Sequence, residues 1–247
     1  MTVEESDVRL AARLATEAGR MLLALQKNGD LEGKALGAEG DRLANAFLVK
    51  SLRELRASDA LLSEEEKDSP DRLSAKRVWI IDPLDGTREY GEGRSDWAVH
   101  VALAIDHVAT IGAVALPGLG PTLSSGTPAR LAPANVPLRM VVSRSRPAAE
   151  AIHVAELLRA ELIPMGSAGA KAMAVVRGEA DIYLHTGGQY EWDNCAPTAV
   201  AQAAGLHVSR VDGSPMRYNN KDTSLPDLLI CRPELAEIAL KAVAARG

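Results

Sequence analysis

The run Val78-Trp79-Ile80-Ile81-Asp82-Pro83-Leu84-Asp85-Gly86-Thr87 takes an apolar, β-prone segment straight into two acids. Val78–Ile81 reads as a buried strand. Pro83 has no amide hydrogen and a fixed φ, so it is expected to stop the ladder where Asp82 emerges and to turn the chain toward Asp85. Both carboxylates then face one point. Gly86 and Thr87 follow where a helix or turn begins, and amides exposed at such a start bind a phosphate oxygen well. Asp-Pro and Asp-Gly are ordinary turn dipeptides, and either one alone reads as a turn. Here both follow an apolar strand and precede a threonine, the order that a metal-phosphate site requires.

A second acid group, Ser63-Glu64-Glu65-Glu66, follows the short apolar run Ala60-Leu61-Leu62. By itself such a cluster is a solvated turn. If its strand lies beside Val78–Ile81, Glu64 joins Asp82 and Asp85. Carboxylates crowded in this way repel unless cations neutralise them, and all-oxygen ligation selects Mg2+, Mn2+ or Ca2+ over zinc. Magnesium is the default for phosphate substrates. The third signal is Glu191-Trp192-Asp193-Asn194-Cys195-Ala196-Pro197, leading into a helix that ends near Gly205. Asp193 reads there as an N-cap, a role compatible with metal ligation, with Trp192 wedging the helix start.

The composition of the 247 residues limits what surrounds these acids. Lys and Arg number 28 against 33 Asp and Glu, a net charge of −5, and 47% of the chain is apolar. That excludes a disordered tail and a basic nucleic-acid binder. Aromatics are 3% of the chain, with Phe47 the sole phenylalanine, so the core is expected to be built from Ala, Leu, Val and Ile, without base-stacking platforms. Cys195 and Cys231 are too few for a disulfide framework and lack zinc or redox spacing, which fits a reducing cytosol. Met1–Asp7 has no secretory pattern, and Val108–Leu116, closed by Pro117-Gly118, is far short of a bilayer span. The expected partner is a small molecule, with neither membrane nor polymeric nucleic acid involved.

Helical spacing runs from Ser6 or Asp7 through Leu25 and stops at Gly29. A Gly-rich, charged stretch over Asn28–Gly40 separates it from a second helix, expected from Asp41 to about Arg56. Strands are expected at Ala60–Leu62, Val78–Ile81, Ala98–Ile105, Val108–Leu116 and Leu138–Val142, several close enough in sequence for an antiparallel sheet. The Pro-, Gly- and Ser-rich segment Pro117–Pro137 divides an α+β half, residues 1–131, from a second half, 132–247. In the latter, helical patterns at Ala148–Ala160, Ala168–Arg177, Asn194–Ala204 and Pro233–Ala245 alternate with apolar runs at Ile182–Leu184 and Leu228–Cys231.

Asp82-Pro83-Leu84-Asp85-Gly86-Thr87, Glu64-Glu65 and Trp192-Asp193 with Gly205 resemble the lithium-sensitive, magnesium-dependent phosphomonoesterases of the inositol monophosphatase superfamily. Gly86-Thr87-Arg88-Glu89-Tyr90 and Gly166-Ser167-Ala168-Gly169-Ala170-Lys171 look most like its CysQ-type 3'(2'),5'-bisphosphate nucleotidases. The resemblance implies an α+β fold, a layered αβαβα sandwich; the oligomeric state, monomer or homodimer, stays open. It implies two or three Mg2+ ions held by Glu64, Asp82, the Leu84 carbonyl, Asp85 and Asp193, with Glu65 behind them. Thr87 and Asp41 would activate the water, with Glu64 beside them. Substrate contacts would fall on Glu64, Leu84, Asp85, Gly86, Thr87 and Asp193. For the second phosphate, Lys171 matches a substrate-contacting lysine, whereas Arg144 and Arg146 match only a loop position. The implied reaction removes the 3'-phosphate of adenosine 3',5'-bisphosphate or its sulfated form in the cytoplasm, as part of sulfate assimilation, with Li+ as inhibitor.

The chain departs from the pattern at two places. Where inositol phosphatases carry an acid it has Tyr183-Leu184-His185-Thr186, which argues against an inositol substrate and makes His185 a candidate hydrogen-bond donor to a nucleotide phosphate. Ala38-Glu39-Gly40 lacks the usual threonine before Asp41. Inositol 1-phosphate and fructose 1,6-bisphosphate stay open as alternatives, as does a non-catalytic phospholigand-binding protein. Aspartyl-phosphate phosphatases place nucleophile and acid two residues apart, whereas Asp82 and Asp85 are three apart with Pro83 between.

Overall fold

The computed structural model describes residues 5–245. Helix α1 (Asp7–Asn28) ends at Gly29, whose φ of 73° caps it in the left-handed region. Its buried Leu10, Leu14, Ala18 and Leu22 recur every four positions as one stripe. Helix α2 (Gly33–Leu55) begins well before Asp41, so much of the expected glycine-rich connection is helical. Propensity disfavours glycine in a helix, but packing overrides it here. α2 lies against the short helix α3 (Thr87–Gly91). A Cβ at position 37 would sit 2.7 Å from Thr87 Cγ2, and one at position 40 would sit 2.9 Å from the Tyr90 ring.

The first sheet has the order β1 (Ala60–Ser63), β2 (Arg77–Asp85), β3 (Ala98–Ile105), β4 (Val108–Ala115) and β5 (Leu123–Ser124). β1 is parallel to β2, with Ser63 opposite Ile81, and the remaining pairs are antiparallel. Asp106 and His107, with φ of 49° and 68°, supply the tight turn that joins β3 to β4. β2 does not stop at Asp82. It continues to Asp85 with a register slip against β3 between the two acids. Pro83, which has no hydrogen to give a ladder, sits in that bulge.

The second half contributes β6 (Arg139–Ser143), α4 (Ala149–Leu158), β7 (Glu161–Met165), α5 (Ala168–Val176), β8 (Ile182–His185), β9 (Gln189–Tyr190), α6 (Glu191–Ala203), β10 (His207–Ser209), β11 (Ser224–Leu225), β12 (Leu228–Cys231) and α7 (Pro233–Ala244). Its sheet has the order β10-β12-β8-β6-β7, and β9 pairs with β11 separately. β7, β10 and the two-residue ladders have no counterpart among the strands expected from sequence. They are short, and β7 is a largely exposed edge with Pro164 inside it, so no apolar alternation announces it.

The layers run α1 and α2, first sheet, α5 and α6, second sheet, α4 and α7. This is the expected αβαβα sandwich. Alternation along β2 sends Trp79 and Ile81 into the cluster beneath α1 and α2, while Val78 and Ile80 face the inner helices. A third cluster, with Met140, Val154, Leu184 and Ala239, seals α4 and α7 onto the second sheet. Among the described residues no helix is long and apolar enough to cross a membrane.

Candidate active site

Three chain segments bring their acids to one place. Asp82 and Asp85 flank the bulge of β2, and Asp193 lies in the first turn of α6. One carboxylate oxygen from each lies within 4.8 Å of the other two. Asp193 is not an N-cap, because α6 starts at Glu191. Tyr190 is the cap, and its amide donates to Asp193 Oδ2 at 2.6 Å. Glu64 directly follows β1, and its amide donates to the Ile81 carbonyl, so the parallel pairing carries its side chain to Asp82. Glu191, fully buried, takes the amides of Asn219 and Asn220 at 2.7 Å each. Asn219 Oδ1 accepts from buried Arg72 at 2.8 Å, which ties the segment after Glu64 to the start of α6.

The charges of this cluster are mutually unfavourable. Burial, then Glu64, Asp85 and Asp193, push the Asp82 carboxyl well above its usual range. Glu64 is an exposed residue, yet desolvation of its carboxylate, then the charge of Asp193, push it up to about 7, against a hydrogen bond with Asp82. Asp193 is pushed up to about 6, mainly by burial and then by Asp85. Asp85 goes the other way. Burial would raise it, but His100, the Gly169 amide and Lys171 hold it below the usual carboxylate range. Ala168 N and Gly169 N donate to its two oxygens at 3.1 and 2.5 Å, so Asp85 sits on the positive end of α5. An all-oxygen group that resists its own ionisation fits a hard divalent cation, which would discharge it.

Beside the cluster, Thr87 Oγ1 lies 3.1 Å from the Leu84 carbonyl and 3.5 Å from Asp41 Oδ1. The hydroxyl has one proton for these two oxygens, so when it donates to Asp41 the Leu84 carbonyl is left free for a metal. Burial, then Glu65, push Asp41 up to about 7, and the contact with Thr87 opposes the shift. Gly86, with φ of 89°, caps α3 and lies so close to Ser167 that a Cβ would come within 2.9 Å of that residue's own. A cavity of about 570 Å3, lined by Gly33, Lys34, Ala38, Arg88 and Gly91, opens onto Asp41 and Thr87.

The expected cations divide. Lys171 is buried, and its ammonium donates to the carbonyls of Gly166 at 2.5 Å and Ser167 at 2.8 Å. Its side chain braces the loop whose amides hold Asp85 and keeps one N–H beyond these two carbonyls. Arg144 is engaged by Glu89 at 2.7 Å and Glu92 at 2.9 Å. Arg146 is exposed. Burial, then the charges of Lys171 and Arg146, lower the pKa of His185.

His100 was not singled out from sequence. Its Nδ1 is 3.0 Å from the Trp192 carbonyl, and its Nε2 is 3.3 Å from Asp85 Oδ2, in ion-pair reach but not aligned as a hydrogen bond. Burial would lower its pKa, and Asp85, Trp192 and Asp193 outweigh that. The available signal was a histidine inside the apolar run Val99-His100-Val101.

The inositol monophosphatase family model matches residues 2–246. The chain is 49% identical, over 97% of its length and 94% of the relative's, to a 3'-phosphoadenosine 5'-phosphate phosphatase of Mycobacterium leprae (strain TN). It is 31% identical, over 75% of its length and 80% of the relative's, to the 3'(2'),5'-bisphosphate nucleotidase CysQ of Escherichia coli (strain K12). The crystal structure of CysQ from Bacteroides thetaiotaomicron, described as a bacterial member of the family, superposes with a TM-score of 0.78 at 27% identity, covering 90% of this chain and 96% of that one. Sequence, layers and the gathered acids agree that this chain belongs to the inositol monophosphatase family.

Proposed function

We propose that the protein is a magnesium-dependent phosphomonoesterase that removes the 3'-phosphate of adenosine 3',5'-bisphosphate, and of its sulfated form, in sulfate assimilation. The observation that carries the reading is the convergence of Asp82, Asp85 and Asp193 beside the Asp41–Thr87 pair. The likeness to relatives named as phosphatases of that nucleotide supports the substrate. Mg2+ would be held by Glu64, Asp82, Asp85, Asp193 and the Leu84 carbonyl. Residues 1–131 thus supply most ligands, and residues 132–247 supply Asp193 and nucleotide recognition. Bound there, the cations supply a lowered pKa for the attacking water and charge for the departing oxygen.

The chain's own residues do the rest. A Thr87 hydroxyl that donates to ionised Asp41 keeps lone pairs free for a water proton. The first amides of α3, at Gly86 and Thr87, lack intrahelical acceptors and face the phosphoryl oxygens. Arg146, with His185 nearby, takes the second phosphate, since Arg144 is occupied within the protein.

The test is phosphate release from adenosine 3',5'-bisphosphate, its sulfated form, inositol 1-phosphate and fructose 1,6-bisphosphate at fixed Mg2+. The two nucleotides should turn over fastest, Li+ should inhibit, and Asp85→Asn should abolish release while the protein stays folded. Faster turnover of inositol 1-phosphate, or full activity in Asp85→Asn, would refute the proposal.

A further inference from the structure

We infer that Gly37 is a positioning residue for the Asp41–Thr87 pair: its missing side chain lets α2 approach α3 closely enough to hold the Thr87 hydroxyl in line with Asp41. The inference rests on the water-activating role given to that pair above. Gly37 is buried one helical turn before Asp41, so both positions share the α2 face turned toward α3. A Cβ at position 37 would lie 2.7 Å from Thr87 Cγ2 and 3.3 Å from the Thr87 carbonyl oxygen. At the far end of α3 a Cβ on Gly91 would run into the Gly33 carbonyl. The short helix is therefore seated against glycine backbone at both ends.

The methyl and hydroxyl of Thr87 hang from one Cβ, and a β-branched side chain turns about a single stiff χ1. Pressure on the methyl must therefore swing the hydroxyl away from Asp41 Oδ1 and the Leu84 carbonyl, now 3.5 and 3.1 Å distant. The cavity that opens onto Thr87 gives the displaced side chain somewhere to go. Gly37→Ala is then tolerated by the fold, and alanine is also the better helix former. The damage falls on alignment. The metal-ligating acids are carried by β2, α6 and the turn after β1, and they are untouched.

A double-mutant cycle reads this directly, because Thr87→Ser deletes the one side-chain atom the new Cβ would strike. Gly37→Ala should lower kcat by roughly 10- to 100-fold in the Thr87 background, with KM within about twofold, as expected for a misplacement near 1 Å. In the Thr87→Ser background, whatever that change costs alone, the same substitution should cost less than about threefold. Calorimetric Mg2+ affinity and melting temperature of Gly37→Ala should match the parent. Equal losses in both backgrounds, or no loss in the first, overturn the inference. If Gly37→Ala is recovered unfolded, it must fold and turn over when combined with Thr87→Ser, and failure there overturns it as well. Asp41→Asn separates the two levels. Lost activity in that variant with background-independent loss from Gly37→Ala removes the role of Gly37 alone, whereas full activity in Asp41→Asn removes the role of the pair and of Gly37 together.

Discussion

His100 joins two segments of the acidic cluster that no stretch of sequence connects. It reaches Asp85 on β2 with one ring nitrogen and the carbonyl before Asp193 with the other. Partners of this kind orient a ligand without touching the ion, and losing one typically costs 10- to 100-fold in metal affinity. His100→Ala should accordingly weaken Mg2+ binding by about that factor in calorimetry, and an unchanged affinity would show that the ring only fills space. The residues readable in advance were those whose chemistry is local. Asp82, Asp85 and Thr87 share one short run, and Glu64 followed a strand that could pair with it. His100, and the amides of Ala168 and Gly169 that hold Asp85, act across the fold, where spacing carries no signal. Lys171 was legible as a motif residue, whereas its burial against the Gly166 and Ser167 carbonyls is a tertiary fact.

Among the elements, long amphipathic stretches and buried strands were legible, while boundaries were lost wherever backbone meets backbone. Gly33, Gly37 and Gly40 read as a connection because glycine is a poor helix former, yet they are the surface that seats α3. The N-terminus of α6 was misplaced because its cap is Tyr190, a residue type outside the usual capping set. Glycine plays the same part where β4 meets α6. A Cβ on Gly112 would strike the Ala196 carbonyl and come within 2.9 Å of the Ala199 Cβ. Gly112→Val should destabilise the protein by about 1–3 kcal/mol, the usual cost of overfilling a packed interior. It should also lower activity, since α6 cannot retreat without moving Asp193. Melting temperature and phosphate release test the two effects separately, and a variant as stable as the parent would contradict this packing.

At the scale of the whole molecule, the acids set how stability answers to pH. Asp41 and Glu64 are pushed up to about 7 and Asp193 to about 6, chiefly by desolvation of their carboxylates. In that window the metal-free native state keeps protons that the unfolded chain has released, so its stability should fall as pH rises from about 4 through 7. Asp85, lowered instead, acts in the opposite sense, and only as pH falls through its own acidic range. Mg2+ competes with the same protons, so its stabilising effect should grow over this interval. Melting scans in chelator and in Mg2+ at about pH 5 and about pH 8 should show the larger metal-dependent gain at the higher pH, and equal gains would count against the assigned ligands. With Asp193 in the proposed ligand set, a chain leaving the ribosome would lack a complete metal site until residues far beyond β2 have emerged and docked. Hydrolysis would thereby be withheld from partial products of synthesis, and turnover would gauge how many molecules in a preparation have finished folding.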